Sequence, residues 1–257
     1  MKKIITGFHS IDEILKAEKI KRGKNEKNFS GFEIIYSKTG PRVKRILERA
    51  ESLGISIAQK DEQFLNECSA HLPKQLRDHR GIILILKSEK EIAPVTIEEF
   101  TATLFQKEHA FIVILDSITD PHNVGSIVRS ADQFGIDGII IPENKTAGGF
   151  EIIAKTSAGA SAWVPIMTVS NLVRIVEKLK KDGFWIFGAD AGGTSVSLIN
   201  FPKKTALVMG SEGAGISRLL KNKCDEIISI PTQGRLDSLN VSVAAGILFY
   251  EIRKNIR

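Results

Sequence analysis

Three junctions, each a short apolar run giving way to a turn and then a helical pattern, hold the residues whose types could do chemistry. The first runs from Asp116 through Asp120-Pro121, Asn123 and Gly125 to Arg129-Ser130-Ala131. Asp120-Pro121 predicts the turn, and Asn123 is placed as a helix N-cap, since its side-chain oxygen can accept the first free amides. Ile127, Val128 and Ala131 suit a buried helix face, whereas Arg129 brings a cation with five donors. It is either a surface arginine on an amphipathic helix or a cation without an easy apolar home among buried neighbours.

The second junction, Leu207-Val208-Met209-Gly210-Ser211-Glu212-Gly213-Ala214-Gly215, runs from a buried strand into a glycine-rich loop. Backbone can approach a ligand closely there, and free amides at a helix start suit a carboxylate or phosphate; a tight structural turn explains the glycines equally well. The spacing is Gly-x-x-Gly-x-Gly, neither the dinucleotide fingerprint nor a phosphate loop with its Lys-Ser/Thr, which argues against a nicotinamide-dependent dehydrogenase. The third junction runs from Ile230-Pro231 through Thr232-Gln233-Gly234-Arg235 to Ser238-Leu239-Asn240, which opens the apolar helix Val241 to Leu248. Ser238 reads as an N-cap or a reacting-group contact, Asn240 as structural or as a polar site residue, and the apolar face as core or a dimer seam.

The elements around these junctions alternate. Phe111 to Asp116, Gly138 to Pro142, Ala162 to Ile166, Phe184 to Asp190, Thr205 to Gly210 and Glu226 to Pro231 are apolar runs separated by helical patterns or turns. That alternation predicts an α/β fold with a largely parallel sheet and helices on both faces, whose ligands lie beyond the carboxyl ends of the strands. Upstream, strands at Phe32 to Tyr36, Ile55 to Ala58 and Gly81 to Leu86 and helices at Arg42 to Leu53 and Glu62 to Ser69 form a smaller α/β unit. Ser10-Ile11-Asp12-Glu13 has the spacing of a capping box and predicts a helix from about residue 11. Arg22 to Gly31 reads as an exposed loop. The domains are therefore drawn as 1–87 and 108–257, with a charged linker at 88–107 that contains Ala93-Pro94 and a helical pattern from Ile97 to Leu104.

The chain of 257 residues has a formal net charge of +6. All of the excess lies in residues 1–90, which hold 19 Lys/Arg against 12 Asp/Glu, while residues 91–257 hold 17 against 18. A basic first third points to a polyanionic partner or a solvated face. Cys68 and Cys224 are the only cysteines, and no His, Cys or Asp spacing suggests a metal. Thr6 to Ser10 interrupts the brief apolar start before a signal core forms, and nothing later approaches a membrane span, so no membrane association and a cytoplasmic location are expected.

In this order the three segments, Asp116 to Gly135, Met209 to Gly215 and Ile230 to Gly246, resemble the signature motifs of the SpoU (TrmH) family within the SPOUT methyltransferases. Ser157-Ala158-Gly159-Ala160 followed by Val164-Pro165 is similar too. Thr6-Gly7-Phe8-His9-Ser10 and Asp78-His79-Arg80-Gly81-Ile82 resemble the L30e-like RNA-binding domain that precedes the catalytic domain in the branch acting on large-subunit ribosomal RNA, with Arg80 where glutamine is commoner.

The resemblance implies a C-terminal domain with a deep trefoil knot, a feature general topology rules would not suggest. It implies S-adenosyl-L-methionine (AdoMet) held by Leu207, Gly210, Ile230 and Leu239, and a reacting ribose surrounded by Asn123, Arg129, Glu212, Ser238 and Asn240. The implied reaction is 2'-O-methylation of ribose in ribosomal RNA, at a guanosine of 23S rRNA, by a homodimer that shares its active site across the interface. Within the class the rival is a tRNA ribose methyltransferase; outside it, a catalytically silent RNA-binding assembly factor.

Overall fold

The computed structural model describes residues 3–22, 31–87, 97–143, 149–236 and 238–256. The expected loop at 23–30 and the Ala93-Pro94 stretch lie outside them. The strands are β1 (Lys3–Thr6), β2 (Phe32–Tyr36), β3 (Ser56–Gln59), β4 (Ile82–Leu86), β5 (Ala110–Asp116), β6 (Gly138–Pro142), β7 (Ile166–Val169), β8 (Trp185–Ser195), β9 (Lys204–Gly210) and β10 (Glu226–Ser229). The helices are α1 (Phe8–Arg22), α2 (Pro41–Ser52), α3 (Glu62–Ala70), α4 (Ile97–Phe105), α5 (Pro121–Gln133), α6 (Gly149–Thr156), α7 (Leu172–Lys181), α8 (Arg218–Lys221) and α9 (Val241–Asn255). Two compact units result, Met1–Ala93 with Gly148–Trp163, and Pro94–Ala147 with Val164–Arg257.

The first unit is built on a four-stranded sheet of order β1-β4-β2-β3, in which β2 and β3 pair parallel and the other neighbours antiparallel. All five residues of β4 are buried, as expected of a central strand covered on both faces. Ile11, Ile14 and Leu15 of α1 and Val43, Ile46, Leu47 and Ala50 of α2 close one core against Phe32, Ile34, Ile82 and Leu84. The capping box does not form: α1 begins at Phe8, and the buried Ser10 hydroxyl donates to the Ala154 carbonyl at 2.9 Å. Residues 148–163 are thus part of this unit. Gly159 is required there, because at φ +91° a Cβ would lie 2.7 Å from the Glu13 Cβ and 2.9 Å from the His9 oxygen. Trp163 Nε1 donates to Glu13 Oε2 at 2.9 Å, and Lys155 Nζ to the Asp78 carbonyl at 2.9 Å.

The second unit carries a six-stranded sheet of order β10-β8-β9-β5-β6-β7, parallel throughout. Strand alternation splits the apolar residues between the two faces. Ala110, Ile112 and Ile114 of β5 meet Phe100 and Leu104 of α4 and Ile175, Val176 and Leu179 of α7. Phe111 turns the other way, onto Phe249 of α9, with ring centroids 5.9 Å apart and edge to face. Each fully buried side chain of this size contributes about 1.5 to 3 kcal/mol. The division departs from boundaries at 87 and 108 in two places: α4 buries Phe100 and Leu104 in the second core, and residues 149–163, between β6 and β7, are packed into the first unit. The strand expected at Ala162 to Ile166 begins instead at Ile166, after a single 3-10 turn at Ala160–Ala162. Among the described residues no helix is long and apolar enough to cross a membrane.

Candidate active site

The site gathers at the carboxyl ends of β5, β8, β9 and β10. β9 comes late in the chain yet inserts between β5 and β8, and its register sets Gly210 opposite Asp116. Asp116 is buried and spends both oxygens on holding the following loops: Oδ2 accepts the Ser217 amide at 2.7 Å and Oδ1 the Ser117 hydroxyl at 2.9 Å. The glycine-rich loop folds back on itself between these anchors. A Cβ on Gly210 would lie 2.0 Å from the carbonyl carbon of Gly215, and the Gly215 amide closes the bend by donating to the Ser211 carbonyl at 2.9 Å. The tight-turn reading of these glycines therefore holds, and the bend presents Glu212.

Glu212 is the centre of a hydrogen-bonded cluster drawn from all three junctions. Its Oε1 accepts from Asn240 Nδ2 at 2.8 Å, from Asn123 Nδ2 at 3.2 Å and from the Val241 amide at 3.2 Å, while Asn240 Nδ2 also donates to Asn123 Oδ1 at 3.0 Å. Local structure explains why each amide is free to do this. Asp120, not Asn123, caps α5, its Oδ1 accepting the His122 amide at 2.9 Å with Pro121 in the first turn. Asn123 is thereby released toward Glu212. At the start of α9 the cap is Asn240 rather than Ser238: Oδ1 accepts from the Ser242 amide at 2.9 Å, and this fixes the side chain so that Nδ2 points at Glu212.

Beside the cluster lies a cavity of about 480 Å³. Gly210, Ile230 and Leu239 line it, as do Glu212 and Ser238, and Met209, Ile228 and Leu248 add apolar surface. One wall, Ala189 to Ala191, comes from a bulge in β8 where the pairing with β10 jumps from Gly188 to Thr194. Two residues named from the sequence lie elsewhere. Leu207 is fully buried within β9, and Met209, nearer the strand end, reaches the cavity. Arg129 is exposed. Val124, Ile127, Val128 and Ala131 bury one face of α5, and at about 100° per residue Arg129 falls on the opposite face.

Sequence reasoning assigned no individual role to two carboxylates. Asp116 organises the loops, and Asp190 lines the cavity while accepting Lys221 Nζ at 2.8 Å. An acidic residue closing an apolar strand run was the available signal for both. Among the described residues no group of three or more His, Cys, Asp and Glu could hold a metal. Strand-end main-chain groups, apolar cover and a neutral-amide cluster around one carboxylate make a site that can hold a planar heterocycle and orient a hydroxyl group.

The SpoU rRNA Methylase family model matches residues 110–250. The 23S rRNA (guanosine-2'-O-)-methyltransferase RlmB of Neisseria meningitidis serogroup B is 36% identical over 251 residues, covering 97% of this chain and 94% of that protein. A protein of Borreliella burgdorferi described as an uncharacterized tRNA/rRNA methyltransferase is 40% identical over 227 residues, 86% of this chain and 97% of its own. Among solved structures, the SpoU methyltransferase AviRb of Streptomyces viridochromogenes in complex with AdoMet shares the fold with a TM-score of 0.73 at 20% identity, covering 98% of this chain and 89% of that one. With the three junctions brought to one end of a parallel sheet and the family model spanning all of them, the chain belongs to the SpoU family of RNA methylases.

Proposed function

We propose that this protein transfers a methyl group from AdoMet to the 2'-hydroxyl of a guanosine ribose in 23S ribosomal RNA. The observation that carries the reading is the Glu212 cluster, which joins all three family segments beside a cavity suited to the cofactor. The residues present fit AdoMet: strand-end backbone at Gly210 and Ile230 can read an adenine edge, and Met209, Ile228 and Leu239 can cover its faces. When bound, AdoMet supplies an electrophilic methyl on a sulfonium. Leu207 supports the pocket from within β9.

The remaining chemistry belongs to the side chains. The hydroxyl must be held in line near attack distance and must lose its proton as the new O–C bond forms. Asn123 and Asn240 fix Glu212 through Oε1, which leaves Oε2 to accept from the ribose, and Ser238 adds a hydroxyl at the cavity rim. A guanidinium carries donors and no acceptor and is a poor base, so Arg129 serves by stabilising alkoxide character or binding the adjacent phosphate.

Arg129 stands apart from the cluster within one chain, which supports a homodimer in which the partner's α5 completes the site. Val243, Ile247 and Tyr250 form an exposed apolar stripe on α9 at the i, i+4, i+7 spacing of a helix seam. We also assign the SpoU-type trefoil knot to the chain around β9 and β10, the L30e-like RNA-binding role to the basic first unit, and a cytoplasmic setting to the protein.

The test is transfer of labelled methyl from AdoMet to total ribosomal RNA by wild type and Arg129→Ala, with mapping of alkali-resistant linkages. Label at one 23S guanosine ribose, absent with the variant while AdoMet binding persists, is expected. Unchanged turnover by Arg129→Ala would sink that residue's role, label in tRNA alone would move the substrate, and tight RNA binding without transfer would make the protein a silent binder.

A further inference from the structure

The first unit contains a second carboxylate-centred cluster, of opposite character. Asp12 is only 2% exposed. Its Oδ1 accepts Arg49 Nε at 2.9 Å, and its Oδ2 faces Lys16 Nζ at 3.2 Å and Arg45 Nη2 at 3.4 Å. Neutralising one buried carboxylate takes one cation, and here three converge. Glu13 shares Lys16, but the Arg45 side chain remains 64% exposed and its guanidinium has most of its donors free.

Arg42 extends the row. It is exposed, stands 5.9 Å from the Phe8 ring centroid, and has no carboxylate partner among the described residues. The fold fixes the alignment. With Val43, Ile46, Leu47 and Ala50 buried, α2 is rotated so that Arg42, Arg45 and Arg49, at i, i+3 and i+7, run along its α1-facing edge. The row spans about 10 Å along the helix axis, more than one step of a nucleic-acid backbone.

We propose that this α1–α2 edge is a phosphate-binding ridge for the RNA backbone, with Arg42 and Arg45 as its contacting residues and Asp12 as the buried residue that positions Arg45 and Arg49. Planar guanidinium forks suit phosphate oxygens, and a carboxylate that orders them in advance lowers the entropy lost when RNA docks. The proposal rests on the RNA-methyltransferase reading for its partner, and it adds a location that reading does not specify. Contacts of this kind position RNA without reading its sequence.

The experiment uses the full chain with labelled poly(U) and purified ribosomal RNA as probes, titrated across salt. Arg42→Gln/Arg45→Gln is expected to weaken both by roughly 25-fold at about 0.1 M salt and to flatten the slope of log affinity against log salt by about 1.5. Arg42→Lys/Arg45→Lys should keep most of the slope, and AdoMet affinity and melting temperature should match wild type in both. Lys38→Gln serves as control, since Lys38 is 83% exposed and lies off the ridge, paired with Glu62. An unchanged slope in the glutamine double variant overturns the ridge, and so does equal flattening by Lys38→Gln, which would mean diffuse charge. If the double variant melts early, the single Arg45→Gln decides on the same criterion. Wild type that binds RNA with ridge-dependent salt sensitivity but transfers no methyl would sink the catalytic reading alone.

Discussion

Glu212 and Asp12 are each a carboxylate that accepts three donors, yet they organise opposite kinds of surface. Around Glu212 the donors are two side-chain amides and a backbone amide, all neutral, so the cluster fixes geometry beside a cavity without adding a counter-charge. Around Asp12 they are one ammonium and two guanidiniums, so the carboxylate is overcompensated and the surface above it is cationic. The contrast shows that what a hydrogen-bonded acid does is set by the charge of its donors as well as by their number. Neutral donors leave an acid able to meet a reacting hydroxyl, whereas cationic donors turn it into a scaffold for binding polyanions.

Removing each acid should therefore break different functions. Glu212→Ala is expected to lower the rate of methyl transfer by at least about a hundredfold while RNA affinity stays at the wild-type value. Glu212→Gln, which keeps one acceptor oxygen, should recover part of that rate; the check is single-turnover transfer at saturating RNA, and equal rates for the two variants would show that orientation by Oε1 is not what matters.

The loop that presents Glu212 supplies the next largest effect. Gly210→Ala places a methyl group into the backbone of Gly215, so the bend must open. A loss on the order of 3 kcal/mol in stability is expected, with AdoMet affinity falling alongside. Urea unfolding and calorimetric titration would read both, and a stable variant with intact AdoMet binding would contradict the close approach.

Asp12→Asn leaves Arg45, Arg49 and Lys16 without their shared counter-charge. Because those cations are partly solvated, the expected cost is about 2 kcal/mol, less than for a fully buried pair, with AdoMet affinity unchanged. A loss of AdoMet affinity would erase the division of labour between the two acids.

The smallest effect concerns an ionisable group that belongs to neither cluster. Burial pushes the Cys224 thiol up to about 11, against the opposing charge of Lys180. Its thiolate is therefore scarce at neutral pH. Alkylation should be slow near pH 8 and quicken about tenfold per pH unit until pH approaches 11, and Cys224→Ser should leave methyl transfer unchanged. Rapid labelling at neutral pH would show the residue to be less enclosed.

Much of this was legible in the sequence because local signals and tertiary structure agree. The apolar runs at 111–116, 205–210 and 226–231 became parallel strands, and Glu212, Asn123 and Asn240, each named from the sequence, lie in one hydrogen-bonded cluster. The misreadings share one physical cause: a residue that can cap a helix can also bond something distant, and spacing does not say which. Ser10 has capping-box spacing but serves Ala154, 144 residues away. Asn123 lost the cap to Asp120, and Asn240 took the cap that Ser238 could have made. Asp12 and Asp116 were given no role of their own for a related reason. A single acid in a helix or at a strand end looks solvated until the fold buries it among donors that lie far away in sequence, such as Arg49 and Ser217.

The placement of residues 148–163 in the first unit has a consequence for how the protein is made. Synthesis proceeds from the N-terminus, and domains ordinarily fold in that order as they leave the ribosome. Here Ser10, Glu13 and Asp78 wait for Ala154, Trp163 and Lys155, so the first unit is finished only after β5 and β6 of the second have already emerged. The two units mature as overlapping tasks, and a fragment ending near residue 90 would emerge with the seat of α6 still open.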